Sequence, residues 1–309
     1  MHRYPYFDTH CDTMLKMYDQ KLSISHPSLQ VNLATMRKYA PCVQVFALFN
    51  EGEFSEKDML SAIAYFKKEC GRHNKYIAVR RSSRGIRQNH SLGKATALLS
   101  IEGLGNQTDF SVDSISKFHM AGVRFASLCW NGDNILCGGS DHNRNGLTPL
   151  GTEVLRRMAK LGMILDVSHM SDQSFWDAMQ VYDRPVCATH SGSRAICSHP
   201  RNLTDAQFGE LAKRGGVCGI NFYPPFLGGE RPDINQIIAH IEHFMSLGGE
   251  NHIGIGADFD GIDCVPDEIT DSGYVYRLFD ALLSLNYKES TINKIAFYNF
   301  YKFFLKFEI

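Results

Sequence analysis

Six side chains of metal-binding type, His10, Asp12, Glu102, His169, His190 and Asp258, stand at the ends of five strand-like stretches scattered along the sequence. Tyr6-Phe7-Asp8-Thr9 leads into His10 and Asp12, and Ala97-Leu98-Leu99-Ser100-Ile101 leads into Glu102. The apolar run from Met163 ends in His169, the run from Pro185 ends in His190, and the run from Ile253 ends in Asp258. Imidazoles and carboxylates are the ligands of divalent ions such as zinc. Residues two apart on a strand share a face, so His10 and Asp12 can reach one ion together if the chain stays extended to Asp12. An ionised Glu closing an apolar strand is costly unless it is paired or metal-bound. A carboxylate can bridge two cations, and Glu102 is read as a metal ligand, with a structural salt bridge as the alternative. His169 and His190 lie about one strand-helix unit apart. With Glu102 they make three ligands, the usual complement of a catalytic zinc beside its open position. Asp258 is suited to ligation or to base chemistry, and Asp260 is read as a cap on the following turn. Asp166 and Ser168 are assigned packing or supporting roles within their strand.

Side chains so placed need parallel strands whose C-terminal ends meet on one rim, as in the (β/α)8 barrel. The sequence offers eight strands: about 6–10, Cys42–Phe49, about 97–102, Val123–Cys129, the runs ending at His169 and His190, Gly216–Phe222, and the run ending at Asp258. Most are apolar without alternation, which suits burial on both faces. Helical patterns fall between them at 56–70, 148–161, 171–182, 204–214 and 233–247. The segment from Thr148 has Pro149 suited to its first turn and Gly162 to its stop. Two more helices, 272–286 and a Phe- and Tyr-rich 288–306, follow the last strand and are expected to pack on the barrel. The expected architecture is an α/β TIM barrel with extra C-terminal helices, one domain over 1–309.

A net charge of −1 gives no basic excess to hold nucleic acid or an anionic membrane. No run of roughly 18 apolar residues is present to span a bilayer. The nine cysteines are dispersed without a C-x-x-C pair and read as free thiols, so the expected compartment is the cytoplasm. Gly254-Ile255-Gly256 precedes the strand end and lacks the phosphate-loop Lys, so it reads as a tight strand presenting Asp258. His240 and His243 share a helix face and are expected to be solvated, Cys11 is not expected to be a nucleophile, and His2, His26 and His90 have no supporting context.

Several spaced motifs in order carry a resemblance: Asp8-Thr9-His10-Cys11-Asp12, Ile101-Glu102-Gly103, Gly146-Leu147-Thr148-Pro149-Leu150-Gly151, Asp166-Val167-Ser168-His169, Ala188-Thr189-His190-Ser191, Pro200-Arg201-Asn202, Asn221-Phe222-Tyr223 and Asp258-Phe259-Asp260-Gly261. Over nearly its whole length the chain resembles the membrane (renal) dipeptidase family, zinc metallopeptidases of the amidohydrolase superfamily. The resemblance implies two zinc ions per chain: His10 and Asp12 on one, His169 and His190 on the other, Glu102 bridging, and a water or hydroxide between them. It implies Asp258 as the acid/base, and Arg201 and Tyr223 as substrate-binding residues. Dipeptides, including L-Xaa-D-Xaa, are the implied substrates, and a homodimer the implied assembly. Where some members carry a substrate-contacting histidine after the fourth strand, this chain has Trp130, which can donate a hydrogen bond but cannot take up a proton; His142 is the nearest substitute. The alternatives are a hydrolase of lactones, cyclic amides or phosphoesters on the same fold, and an inactive ligand-binding barrel.

Overall fold

The computed structural model describes residues 4–229 and 233–307, so His2 lies outside the described residues. Nine parallel strands run through them: β1 (Tyr6–Asp8), β2 (Cys42–Phe49), β3 (Ile77–Val79), β4 (Ala95–Glu102), β5 (Val123–Ser127), β6 (Ile164–Asp166), β7 (Cys187–Ser191), β8 (Val217–Ile220) and β9 (Ile253–Ile255). Eight of them form a closed barrel in the order β2-β1-β9-β8-β7-β6-β5-β4, sealed by the β2–β4 pairing from Val43↔Thr96 to Phe49↔Glu102. The sequence did not announce β3. It is no barrel stave: it borders β4 at Ala95–Ala97, and β5 takes over the pairing from Leu99 onward.

The strands are buried on both faces, which explains their unbroken apolar character. A large hydrophobic cluster lies between the sheet and the helices around it. A second fills the barrel, where Phe7, Val45, Leu98, Phe125, Ile164 and Val217 meet Phe297, Phe300, Phe303, Phe304 and Phe307 of the last helical segment. That segment (Glu289–Leu305, with one π turn at Lys294–Tyr298) thus packs on the barrel as its Phe-rich composition suggests. Gly254 leaves room for it, since a Cβ there would lie 2.3 Å from Phe300 Cδ2. Asn299 fixes its depth by donating its amide to Glu250 O and Ile253 O.

Helix starts follow the capping residues. Thr148 accepts from Gly151 N ahead of Pro149–Leu161, and Gly162 ends that helix with φ 66°. Ser171, Thr204 and Asp233 cap Asp172–Val181, Asp205–Lys213 and Ile234–Ser246. The region expected as one helix over 272–286 divides into a single turn, Ser272–Tyr274, and a helix, Tyr276–Ser284.

Several strands stop short of the expected ends, for a definite reason. Asp8 Oδ1 accepts from the backbone N–H groups of His10 and Ala257, so side-chain bonds interrupt the ladder above β1 and β9 before it resumes at Asp258 N–His10 O. Asp166 Oδ1 does the same for Ser168 N and Thr189 N above β6. His10, His169 and Asp258 thus stand beyond the strand ends, whereas Glu102 and His190 remain within β4 and β7. His240 corrects the sequence reading: it is fully buried, accepting from Ser193 N at Nδ1 and facing Leu227 O through Nε2. His243 is partly buried and paired with Asp205.

Candidate metal centre

All six metal-type side chains converge, buried, on the rim above the C-terminal strand ends. They form three overlapping sets, His10/Asp12/Glu102, Glu102/His169/His190 and His10/His190/Asp258, each with its candidate ligand atoms within 4.8 Å of one another. Glu102 lies at the centre. Its Oε2 is 3.3 Å from His10 Nε2, while Oε1 is 3.5 Å from His190 Nε2 and contacts His169 Nε2. One oxygen thus faces each half of the cluster. Asp12 Oδ2 lies 3.4 Å from His10 Nε2, and the His169 and His190 Nε2 atoms are 2.8 Å apart.

The residues fit a cationic guest. His10 Nε2 and Asp12 Oδ1 are buried without a hydrogen-bond partner. Three carboxylates packed among imidazoles out of water are unfavourable unless positive charge joins them. Protonation reflects this demand. Burial drives Asp12 up to about 7, and the nearby Glu102 and Asp258 charges add to the push. His10 is held well above its ordinary range: burial works against its charge, but Glu102 and Asp12 outweigh that. His169 is pushed down to about 3 by burial and by the Arg201 guanidinium, so it is neutral and able to ligate at pH 7.

Asp258 sits in a left-handed conformation at φ 65°. Asn221 Nδ2 donates to its Oδ2 at 3.0 Å, and Oδ1 lies 3.8 Å from His10 Nε2. Two glycines permit the approach: a Cβ on Gly256 would lie 1.8 Å from Thr189 O, and one on Gly261 would lie 2.0 Å from Asp12 Oδ2. Asp260 is expected from the sequence to cap the following turn, but its partners lie far from it along the chain. Its buried carboxylate accepts from Thr13 Oγ1 at 2.6 Å, Lys16 Nζ at 2.8 Å and the Gln30 backbone N–H, joining the first helix (Thr13–Gln20) and the loop after it to this turn.

The cavity above the cluster has two overlapping lobes. One, of about 220 Å³, is walled by Leu15, Phe49 and Trp130 opposite Asp12, Glu102, His169, His190 and Asp258. The other, of about 310 Å³, is lined by Arg201, Tyr223, Phe226, Ile262 and Asp263, and shares Trp130, His169, Asp258 and Gly261 with the first. Trp130 stands edge-on to Phe49 at 5.0 Å, with its ring 6.3 Å from His169. His142 is exposed and borders neither lobe. Arg201 is 3% exposed; Nη2 donates to His190 O at 3.3 Å and lies 3.0 Å from His169 Nε2, while Nε and Nη1 have no protein partner.

Sequence reasoning gave no role to Asn131, whose Oδ1 lies 2.8 Å from His169 Nδ1, or to Asn221, which holds Asp258. No local signal marks them, because each partner lies 37 or 38 positions away.

A parallel barrel with buried imidazoles and carboxylates gathered on its C-terminal rim is the architecture of metal-dependent hydrolases. More narrowly, the chain belongs to the membrane dipeptidase family (peptidase family M19), whose model matches residues 1–308. An uncharacterized Klebsiella pneumoniae protein encoded in the pqqA 5′ region is 36% identical over 211 residues, 64% of this chain and 77% of that protein. An uncharacterized dipeptidase of Schizosaccharomyces pombe is 33% identical over 207 residues, 65% of this chain but only half of the yeast protein. The fold matches a Rhodobacter sphaeroides metallopeptidase, solved with a phosphinate mimic of the dipeptide L-Ala-D-Ala, at a TM-score of 0.84 with 22% identity over 99% of both chains. The chain is thus a metallodipeptidase-family hydrolase. Among the described residues no helix is long and apolar enough to cross a membrane.

Proposed function

We propose that this protein hydrolyses dipeptides, L-Xaa-D-Xaa among them, at a pair of divalent metal ions, with zinc the expected metal. The observation that carries this reading is Glu102, with one carboxylate oxygen toward His10 and Asp12 and the other toward His169 and His190. His10 and Asp12 would hold one ion, His169 and His190 the second, and Glu102 both. Bound there, the two ions would acidify water and polarise the scissile carbonyl.

The chain's own groups do the rest. Asp258, aimed at the cluster and held from behind by Asn221, takes a proton from the attacking water and returns it to the leaving amine. Arg201 lines the second lobe, and its Nε and Nη1, which have no protein partner, suit the paired oxygens of a C-terminal carboxylate. Tyr223 lines the same lobe, and Trp130 walls the first as an apolar surface and hydrogen-bond donor. Ligand pockets typically enclose about 300–1,000 Å³. Lobes of 220 and 310 Å³ are therefore small, which favours dipeptides over longer chains. All nine cysteines are free thiols, which supports a reducing, cytoplasmic setting for this single-domain enzyme. A homodimer is the assembly we expect from the resemblance.

The test is a panel of L-L and L-D dipeptides hydrolysed by protein of counted zinc content. Turnover that rises with zinc to two ions per chain and includes L-D pairs is the expected result. Two bound zincs without dipeptide turnover would move the function to another amide, ester or phosphoester.

A further inference from the structure

The hydroxyl of Thr189, fully buried in β7, meets four groups: Asp166 Oδ2, His190 Nδ1 at 2.8 Å, Ser168 Oγ at 3.3 Å and His10 Nδ1 at 3.4 Å. A hydroxyl has one proton to give and two lone pairs that accept. Where the proton goes is settled by Asp166. Its Oδ1 accepts from Ser168 N at 3.0 Å, Ser168 Oγ at 2.6 Å and Thr189 N at 2.9 Å, the surroundings of an ionised, acceptor-only carboxylate. Were the Thr189 proton turned away from Oδ2, two oxygens in close contact would face each other with lone pairs only. The proton therefore goes to Asp166. The proton of Ser168 Oγ, 3.3 Å from Thr189 Oγ1, is also given to Asp166. Both lone pairs of Thr189 are then left for N–H donors, and the ring nitrogens that face them are Nδ1 of His190 and of His10.

We propose that Thr189 is a positioning residue that sets the tautomer of two imidazoles at once, His10 in one half of the cluster and His190 in the other, with Asp166 locking the hydroxyl. With the ions in place, each ring would carry its proton on Nδ1 and turn a bare Nε2 toward the cluster. Ligating histidines commonly hand the outer N–H to an acceptor, which orients the ring and raises its basicity. Here one hydroxyl serves two rings on two different strand ends, so a single side chain prepares both halves of the site. The shorter contact makes the hold on His190 the firmer of the two.

The inference rests on the proposed metal reading, and the experiment separates the two. Long-range ¹H–¹⁵N NMR on zinc-loaded, ¹⁵N-histidine-labelled protein reports which nitrogen of each ring is protonated and how fast that proton exchanges. Wild type should show slowly exchanging Nδ1–H at His10 and His190. Nε2–H at either ring overturns the proposal without any variant. Thr189→Val removes the acceptor but keeps the shape and the backbone bond to Asp166. It should shift both Nδ1–H resonances, speed their exchange and weaken zinc binding about ten- to a hundredfold in chelator competition, more in the His190 half. Thr189→Ser should restore both. A valine protein with native circular dichroism, unchanged Nδ1–H signals and unchanged zinc affinity would sink the idea. Wild type that bound no divalent ion would instead overturn the metal reading.

Discussion

The sharpest test of how substrate is held is Arg201→Met, which removes the guanidinium charge and keeps most of the side-chain length. Arg201 is 3% exposed, and two of its three nitrogens lack a protein partner, so a substrate carboxylate would meet a desolvated, unspent donor pair. Truncating one partner of a buried, hydrogen-bonded charge pair costs about 2–5 kcal/mol. At roughly 1.4 kcal/mol per factor of ten, kcat/KM for a free dipeptide should fall about 30-fold to a few thousandfold. The assay pairs each dipeptide with its C-terminal amide. Wild type should prefer the free acid by a factor of this size, because the amide leaves the guanidinium without its anion. Arg201→Met should hydrolyse both at one low rate. Arg201→Lys should fall between, since an ammonium supplies charge without the fork. Zinc content must be counted alongside, because Arg201 also lies 3.0 Å from His169 Nε2. A methionine enzyme with full zinc that still prefers the free acid would refute the assignment of Arg201 to the substrate carboxylate.

Other substitutions separate the remaining roles. Glu102→Gln, which removes the charge between the two halves, should lower bound zinc to one ion per chain or less by elemental analysis and abolish turnover; two retained zincs with full activity would end the bridging assignment. Asp258→Asn should keep both metals and lose about 10²–10⁴ in kcat, whereas loss of a zinc would make Asp258 a ligand. Asp172 takes both Arg194 nitrogens at 2.7 and 2.8 Å, and Arg194 also holds the carbonyls of Pro200 and Asn202 on either side of Arg201. Burial raises the Asp172 pKa, but Arg194 and Asn143 outweigh it and the net shift is downward. Its stabilisation is therefore complete above the unfolded value of about 3.9 and lost as pH falls through the lower folded value. Asp172→Asn should cost about 1 kcal/mol in urea unfolding at pH 7, a partly exposed pair being screened, and the deficit should vanish in strong acid.

Much of this design is legible in the sequence because of where barrels keep their chemistry. A strand buried on both faces reads as an unbroken apolar run, and a polar ligand at its end interrupts that run visibly. His10, Glu102, His169, His190 and Asp258 stand out for this reason, and the structure gathers all of them with Asp12 into one cluster. Helical stretches starting at Thr148, Ser171, Thr204 and Asp233 are equally readable, and the structure shows each of these as the cap, which acts within three residues of itself.

What stayed hidden depends on distant partners. β3 is three residues long and exists only because β4 offers it an edge. Asp260 looked like a local cap, yet its carboxylate serves groups from Thr13 to Val31, more than 220 positions earlier. His240 shares a helical face with a half-exposed His243, but its ring is claimed by Ser193 and Leu227 from elsewhere in the chain. The same holds for the support beneath the metal-type residues. Asp8 and Asp166 read as polar interruptions of apolar strands, with nothing to show that each would cut its strand short by capturing the amides above it. Yet that capture is what lets His10 and His169 leave the sheet and turn toward Glu102. Residues that carry chemistry declare themselves by type, whereas residues that aim them declare themselves only through partners. For that reason the Thr189 hydroxyl, an ordinary strand threonine by sequence, becomes significant only once Asp166, His190 and His10 are in place around it.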